Sequence, residues 1–168
     1  MKKVVVVPYD EKWKTEFERI KEELLVVLEK YIIAIEHVGS TSVKGLAAKP
    51  VIDIDVIMKD YNSFEDIKSR LAEIGYEHEG DLGIKDRQAF KYDNKPHLMI
   101  HHLYVCPAYS EELKRHIAFR DYLRQNLNDR DWYGEVKMLA AERYPDDINS
   151  YMIAKSPCAA AIINRCAL

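Results

Sequence analysis

Apolar and polar positions alternate along this chain in two periods, one helical and one extended. From Asp10 onward, apolar residues recur at Trp13, Phe17, Ile20, Leu24, Val27, Leu28 and Tyr31. That spacing predicts an amphipathic helix with Asp10 as its N-cap. The β-branched runs Ile32–Val38 and Val51–Met58 predict strands, the second opened by Pro50. Val4–Val7 fits either a short strand or an extended lead-in. Asn62-Ser63-Phe64-Glu65 has the form of a capping box, Phe64, Ile67, Leu71 and Ile74 give the following helix its inner face, and Gly75 stops it. Two further strands, Arg87–Tyr92 and His97–Cys106, flank a turn at Asp93-Asn94-Lys95-Pro96. The last third reads as helical. Ser110 caps a helix running to about residue 126, and a second carries Trp132, Val136, Leu139 and Ala140 and stops before Pro145. A third starts at Asp146 or Asp147, and Ser156-Pro157 either kinks or restarts it. The pattern shows no repeat, low-complexity tract or linker, so a single α+β domain over residues 1–168 is expected, with a mixed sheet flanked by helices.

Composition narrows the function classes. The 168 residues are 48% hydrophobic and 32% charged, with a formal net charge of −3. This is globular composition, and it offers no general attraction for nucleic acid or an anionic membrane. Any phosphate binding must come from a local pocket. No run approaches the roughly 18 apolar residues of a spanning helix. Met1-Lys2-Lys3 before Val4–Val7 begins like a signal peptide, but Pro8-Tyr9-Asp10 ends the apolar run too early. Cys106, Cys158 and Cys166 are odd in number and lack the spacing of a zinc site. They read as packing thiols in a reducing cytoplasm.

The chemistry concentrates between residues 37 and 55. Side chains two apart on a strand share a face, so Asp53 and Asp55 present neighbouring carboxylates while Ile54, Val56 and Met58 face the core. Two like charges in that arrangement repel, and a hard cation such as Mg²⁺ removes the repulsion by taking carboxylate oxygens together with substrate phosphates. The preceding loop, Gly39 to Lys49, complements them. Gly39 lets backbone approach a phosphate closely, and Ser40, Thr41 and Ser42 offer hydroxyl and amide donors. Each feature alone also fits a solvated strand edge or an ordinary turn. Their order on consecutive strands favours a metal–nucleotide site.

The run His37-Val38-Gly39-Ser40-Thr41-Ser42-Val43, continued by Gly45-Leu46-Ala47-Ala48-Lys49-Pro50 and by Ile52-Asp53-Ile54, resembles the GrpB-like proteins. These are a branch of the nucleotidyltransferase superfamily to which the DNA polymerase beta fold belongs. Val7-Pro8-Tyr9-Asp10 with Trp13, His102-Leu103-Tyr104-Val105 and Phe119–Arg124 are similar as well. The resemblance implies a nucleotidyltransferase-like fold. It also implies a Mg²⁺-dependent transfer of a nucleoside monophosphate from a nucleoside triphosphate to an acceptor, with Asp53 and Asp55 holding the metal. Superfamily members usually add a third carboxylate from a later strand, and His97–Cys106 contains none. Either His102 takes the base role, or the site is a non-catalytic pocket for a nucleotide or phosphorylated metabolite.

Other residues carry two readings each. His102 is a general base or metal ligand, or a half-buried strand histidine. His37 is expected to orient the loop. Tyr104 stands where the family usually has histidine. Lys49, Arg87, Lys91, Arg120, Lys137 and Lys155 are the candidate phosphate-binding cations, and Arg120, set among apolar helix residues, needs an anion that either a triphosphate or an internal carboxylate supplies.

Overall fold

A computed structural model describes residues 2–166. Its first helix, α1 (Lys12–Leu28), begins where Asp10 accepts from the Lys12 amide at 2.9 Å. It buries Trp13, Phe17, Ile20, Leu24 and Leu28, the stripe that the helical period marks. At about 1.5–3 kcal/mol for each large side chain, this face anchors the helix to the sheet. The chain then enters β1 (Ala34–Val38), crosses a short 3-10 turn at Ser40–Ser42, and returns in β2 (Ile52–Met58). Helix α2 (Phe64–Glu73), β3 (Glu77–Gly80), β4 (Gln88–Lys91) and β5 (His101–Pro107) follow, and α3 (Glu111–Gln125), α4 (Leu127–Arg143) and α5 (Ile148–Arg165) complete the order.

The five strands form one sheet in the order β1-β2-β5-β4-β3. β2 runs parallel to β5 and antiparallel to β1, and the remaining pairs are antiparallel. The sheet is therefore mixed. One face, carrying Ile35, Ile52, Ile54, Val56, Leu103 and Val105, packs under α1 and α2 in the main core. The other face of β1, β2 and β5 lies beneath the C-terminal helices, where Ile57 and Cys106 meet Leu113. β2 is thus sandwiched on both sides, which is why it reads as a nearly continuous apolar run broken by two aspartates.

Several element boundaries differ from the sequence expectation. Residues 4–7 make a single bridge, Val7 to Ala48, because the Val4 amide is drawn to the Pro145 carbonyl at 2.7 Å. The extended lead-in is the form that occurs. β1 starts two residues late, because a turn closes at Tyr31. The capping box does not form: Asp60 caps a 3-10 turn at Tyr61–Ser63, and Ser63 makes no capping bond. β5 starts at His101 rather than His97, and β3, which the pattern did not separate, forms the far edge. Ser110 and Asp147 cap α3 and α5 as anticipated, and α5 continues through Pro157. Cys106, Cys158 and Cys166 are free thiols. Among the described residues no helix is long and apolar enough to cross a membrane.

Leu24 is fully buried whereas Val26, two residues on, is 84% exposed. Leu24→Ala is expected to lower stability by about 2–5 kcal/mol and Val26→Ala by less than about 0.5 kcal/mol. Urea unfolding checks this, with the midpoint moving and the slope unchanged.

Candidate functional site

The sheet register sets two rows of side chains on the face beneath the C-terminal helices. Val38, Asp53 and His102 form one row, and Glu36, Asp55 and Tyr104 the next. Asp53 and Asp55 therefore share a face, as the strand period requires, but their surroundings differ. The Asp53 side chain is 33% exposed and its Oδ1 meets His102 Nδ1 at 2.9 Å. A carboxylate only accepts, so His102 Nδ1 carries the hydrogen and Nε2 is left as the basic nitrogen. Asp55 is fully buried. Its Oδ2 receives His116 Nδ1 at 2.7 Å, and the other ring nitrogen of His116 faces Glu112 Oε1 at 3.1 Å. An imidazole between two carboxylates carries both hydrogens. Burial alone would lower the His116 pKa, but its bond to Asp55 and the two nearby charges hold it above the usual histidine range. Burial pushes the Asp55 carboxyl up against the opposing pull of His116. Asp55 Oδ1 is buried with no partner.

The turn stands in front of Asp53. Gly39 has φ +73°, and a Cβ built there would lie 2.3 Å from Asp53 Oδ2. Only glycine allows that approach without displacing the carboxylate. The Tyr133 hydroxyl lies against the Ser40 side chain. Thr41 and Ser42 are buried and spend their hydroxyls internally, Thr41 on the Val51 carbonyl and Ser42 on the Gly39 carbonyl. His37 stacks on Phe17 at 4.6 Å and donates from Nε2 to Thr41 Oγ1 at 2.9 Å. Burial lowers its pKa to about 4, so it stays neutral and fixes the turn.

Three lysines come to the same place from distant parts of the chain. Lys137 of α4 is 2% exposed, has no acceptor for Nζ and lies 4.6 Å from the Tyr133 ring. Lys49 and Lys155 stand 5.6 and 5.5 Å from the Tyr151 ring. Burial, and then the neighbouring Lys155, depress Lys137 to about 7, while Asp53 opposes the shift. Lys155 is lowered by burial and then by Lys49, with Asp53 again opposing. Arg87 lies over the Tyr104 ring at 4.3 Å with Nε buried and unpartnered, close enough for its charge to act on Asp55.

Two candidate cations are engaged elsewhere. Lys91 pairs with Glu77 at 3.6 Å on the edge strand. Arg120 is held by Glu36 at 2.6 Å, Asp121 at 2.9 Å and the His37 carbonyl at 3.0 Å. Its required anion is an internal carboxylate. His116, Tyr133 and Glu112 escaped the sequence reading. Glu112 and His116 stand at i and i+4, a spacing that joins them on one helix face, but nothing local relates them to Asp55.

Among the described residues no three His, Cys, Asp or Glu side chains could hold a metal by themselves. The donor set nonetheless fits Mg²⁺ in kind, because that ion commonly takes one or two carboxylates and fills its remaining positions with water and substrate phosphates. Asp53 is partly open, and Oδ1 of Asp55 is buried without a hydrogen-bond partner.

Comparison with known proteins matches residues 3–165 to the family described as GrpB protein. The UPF0157 protein YqkA of Bacillus subtilis is 36% identical over 155 residues, 92% of this chain and 44% of YqkA. The chain thus spans less than half the length of that relative. The crystal structure of GrpB from Enterococcus faecalis superposes with a TM-score of 0.81 at 32% identity, covering 96% of this chain and 98% of that one. The Cid1 poly(U) polymerase with MgGTP bound superposes with a TM-score of 0.57 at 14% identity, covering 82% of this chain and 44% of that chain. That likeness is one of fold, and the fold is of the nucleotidyltransferase type.

Gly39 and Gly83 have nearly equal positive φ, +73° and +82°, but a Cβ on Gly83 meets nothing within 4 Å. Gly83→Ala is expected to cost about 1 kcal/mol from backbone strain alone, and Gly39→Ala to cost more because it also displaces Asp53. Urea unfolding measures the difference, and the His102 ring resonances should move only in Gly39→Ala.

Proposed function

The chain belongs to the GrpB protein family, and from that footing we propose that it binds a Mg²⁺–nucleoside triphosphate and transfers the nucleotidyl group to a hydroxyl-bearing acceptor. The observation that carries this reading is the identity of the buried polar atoms left without partners. They are Asp55 Oδ1, Arg87 Nε and Lys137 Nζ, and all three flank the β2 carboxylates. Orphaned buried polar groups are costly. Here one oxygen of a carboxylate whose other oxygen is held by His116 stands bare, near cations that do not bond to it. A ligand that brings a cation to the carboxylates and anionic oxygens to the ammonium groups satisfies all of them together.

In this reading Asp53 and the free oxygen of Asp55 would hold Mg²⁺, whose chemistry when bound is to neutralise phosphate charge as it develops. Gly39 and Ser40 bring the backbone of the turn against the phosphates. Lys49, Lys137 and Lys155 offer three ammonium groups, none with a carboxylate partner within salt-bridge distance among the described residues. His116 opposes the upward push that burial exerts on Asp55. His102, fixed through Nδ1 on Asp53, presents Nε2 for the proton of the acceptor hydroxyl. Positioning and charge complementarity do most of the work in such a transfer.

One observation favours a second reading. β5 sets Tyr104, not an acid, beside Asp55, and Arg87 covers the ring. A site without a third carboxylate suits a nucleotide- or phosphometabolite-binding module that does no chemistry. Thermal-shift titration with nucleoside triphosphates tests what both readings share. A Mg²⁺-dependent rise in Tm is expected, and its persistence in Asp53→Asn would remove the carboxylates from the binding site. Pyrophosphate release with an acceptor present separates enzyme from module.

Lys137 adds a pH dependence. Its pKa of about 7 in the free protein lies below the ordinary lysine value of 10.5. Between those values the unfolded chain holds more protons, so this group makes stability rise with pH. An anionic ligand favours the charged lysine and raises its pKa. At pH 8 binding is therefore expected to take up protons, and affinity to fall by at most about tenfold per pH unit above 7. Calorimetry in buffers of different ionisation enthalpy measures the uptake, and Lys137→Gln should abolish it.

A further inference from the structure

A large cleft lies behind the turn, at the edge of β1, between α1 and the α3–α4 junction. Its volume is about 900 Å³, within the range of small-molecule sites. Six cationic side chains and three glutamates line it, in a chain whose net charge is −3. From this cleft we propose a second anion-binding site, separate from the β2 carboxylates, that takes a phosphorylated small molecule and bears on the shape of the turn.

Three arginines reach the cleft, and each donates to a backbone carbonyl of the turn or its approach. Arg120 holds the His37 carbonyl at 3.0 Å, Arg124 holds that of Ser42 at 3.1 and 2.7 Å, and Arg130 holds that of Lys44 at 3.1 Å. Gly45 makes room for the last: a Cβ there would meet Arg130 Nη1 at 2.7 Å. Arg120 and Arg130 are neutralised, by Glu36 and Asp121 and by Asp131. Arg124 is not. Its Nε and Nη2 are both on a neutral carbonyl, and its nearest acid, Asp121, is 3.9 Å from Nη1. Burial and then the charge of Arg120 hold Arg124 below its ordinary pKa, with Asp121 and Glu36 opposing.

The opposite wall adds charge of the same sign. Lys14 and Lys21 lie two turns apart on the α1 face that borders the cleft, and neither has a salt bridge among the described residues. Lys44 leans on Glu11 at 3.8 Å, and Glu18 is the other glutamate of the α1 wall. Guanidinium and ammonium groups on facing walls, with Tyr9 among the lining residues, suit phosphate oxygens that bridge them. An anion drawing Arg124 toward itself acts on the Ser42 carbonyl, and so on the segment that begins at Gly39 in front of Asp53. Such a ligand would couple to the front site through the turn.

Pyrophosphate is the probe, titrated first without metal and then with Mg²⁺, and followed by calorimetry and by amide shifts in the full chain. One binding event is expected without the metal and a second once it is added. The Lys14→Gln/Lys21→Gln variant, which removes only side chains without hydrogen-bond partners, should keep its Tm and weaken one event by about tenfold or more. Lys137→Gln should weaken only the other. Amides of Ser42 and Lys44 should shift with the event that Lys137→Gln leaves intact. The proposal is overturned if Lys14→Gln/Lys21→Gln titrates as wild type, if a single event disappears in Lys137→Gln, or if chloride at equal ionic strength produces the same shifts. Because the two variants act on different events, loss of the front-site reading leaves this test standing.

Discussion

The site is organised by charge compensation around a carboxylate buried in the middle of a sheet. β2 is covered on both faces, so Asp55 cannot reach water, and an isolated ionised carboxylate in that setting is strongly disfavoured. His116 answers this from α3, and Glu112 holds the far side of the imidazole. The result is a fixed chain of acid, base and acid that ties the helical third to the strand. It satisfies one oxygen of Asp55 and leaves the other bare. Asp53, two residues earlier, escapes the same constraint because it lies at the open end of the strand and pairs with the exposed His102. One sequence pattern therefore yields a rigid carboxylate and an accessible one.

The turn between β1 and β2 is fixed from both sides by opposite charge. In front, Gly39 lets the Asp53 carboxylate come against backbone, and behind, Gly45 lets Arg130 do so. Neutral His37 and the internal hydroxyl bonds of Thr41 and Ser42 close the loop on itself. The hydroxyls expected to greet a phosphate are thereby split: Ser40 remains on the open side, and the next two are structural. A loop built this way presents backbone to a ligand with little further ordering, which limits the entropic cost of binding.

How much of this was legible in sequence depends on range. The strand period alone placed Asp53 and Asp55 on one face, because that is a rule about neighbours two residues apart; Gly39 was expected to admit a phosphate, and the group it lets close is Asp53, from the next strand. The apolar stripe of α1 was legible for the same reason. The resemblance carried the fold class. What local pattern does not encode is which distant groups converge. His116 meets Asp55 across 61 positions, and Arg120 finds Glu36 across 84. Lys137 and Lys155 were named as candidates but could be placed beside Asp53 only by the packing of α4 on α5. Lys91 looked equivalent to Arg87 because residues four apart on the expected strand share a face, yet the sheet order sends Lys91 toward Glu77 at the outer edge.

The cationic side of the site raises a further question of energetics. Lys137 is buried, has no acceptor, and has Lys155 and Lys49 for neighbours. Its cation–π contact with Tyr133 recovers part of the lost hydration, but too little to restore an ordinary lysine pKa. Lys137 is therefore a destabilising element, and on the proposed function an anion would convert it and its two neighbours into favourable partners. Asp55 Oδ1 stands in the mirror situation for a cation. On the proposed function, an arrangement unfavourable for each charge alone would select a ligand carrying metal and phosphate jointly over either one separately. That selectivity would follow from the burial that leaves these groups without partners.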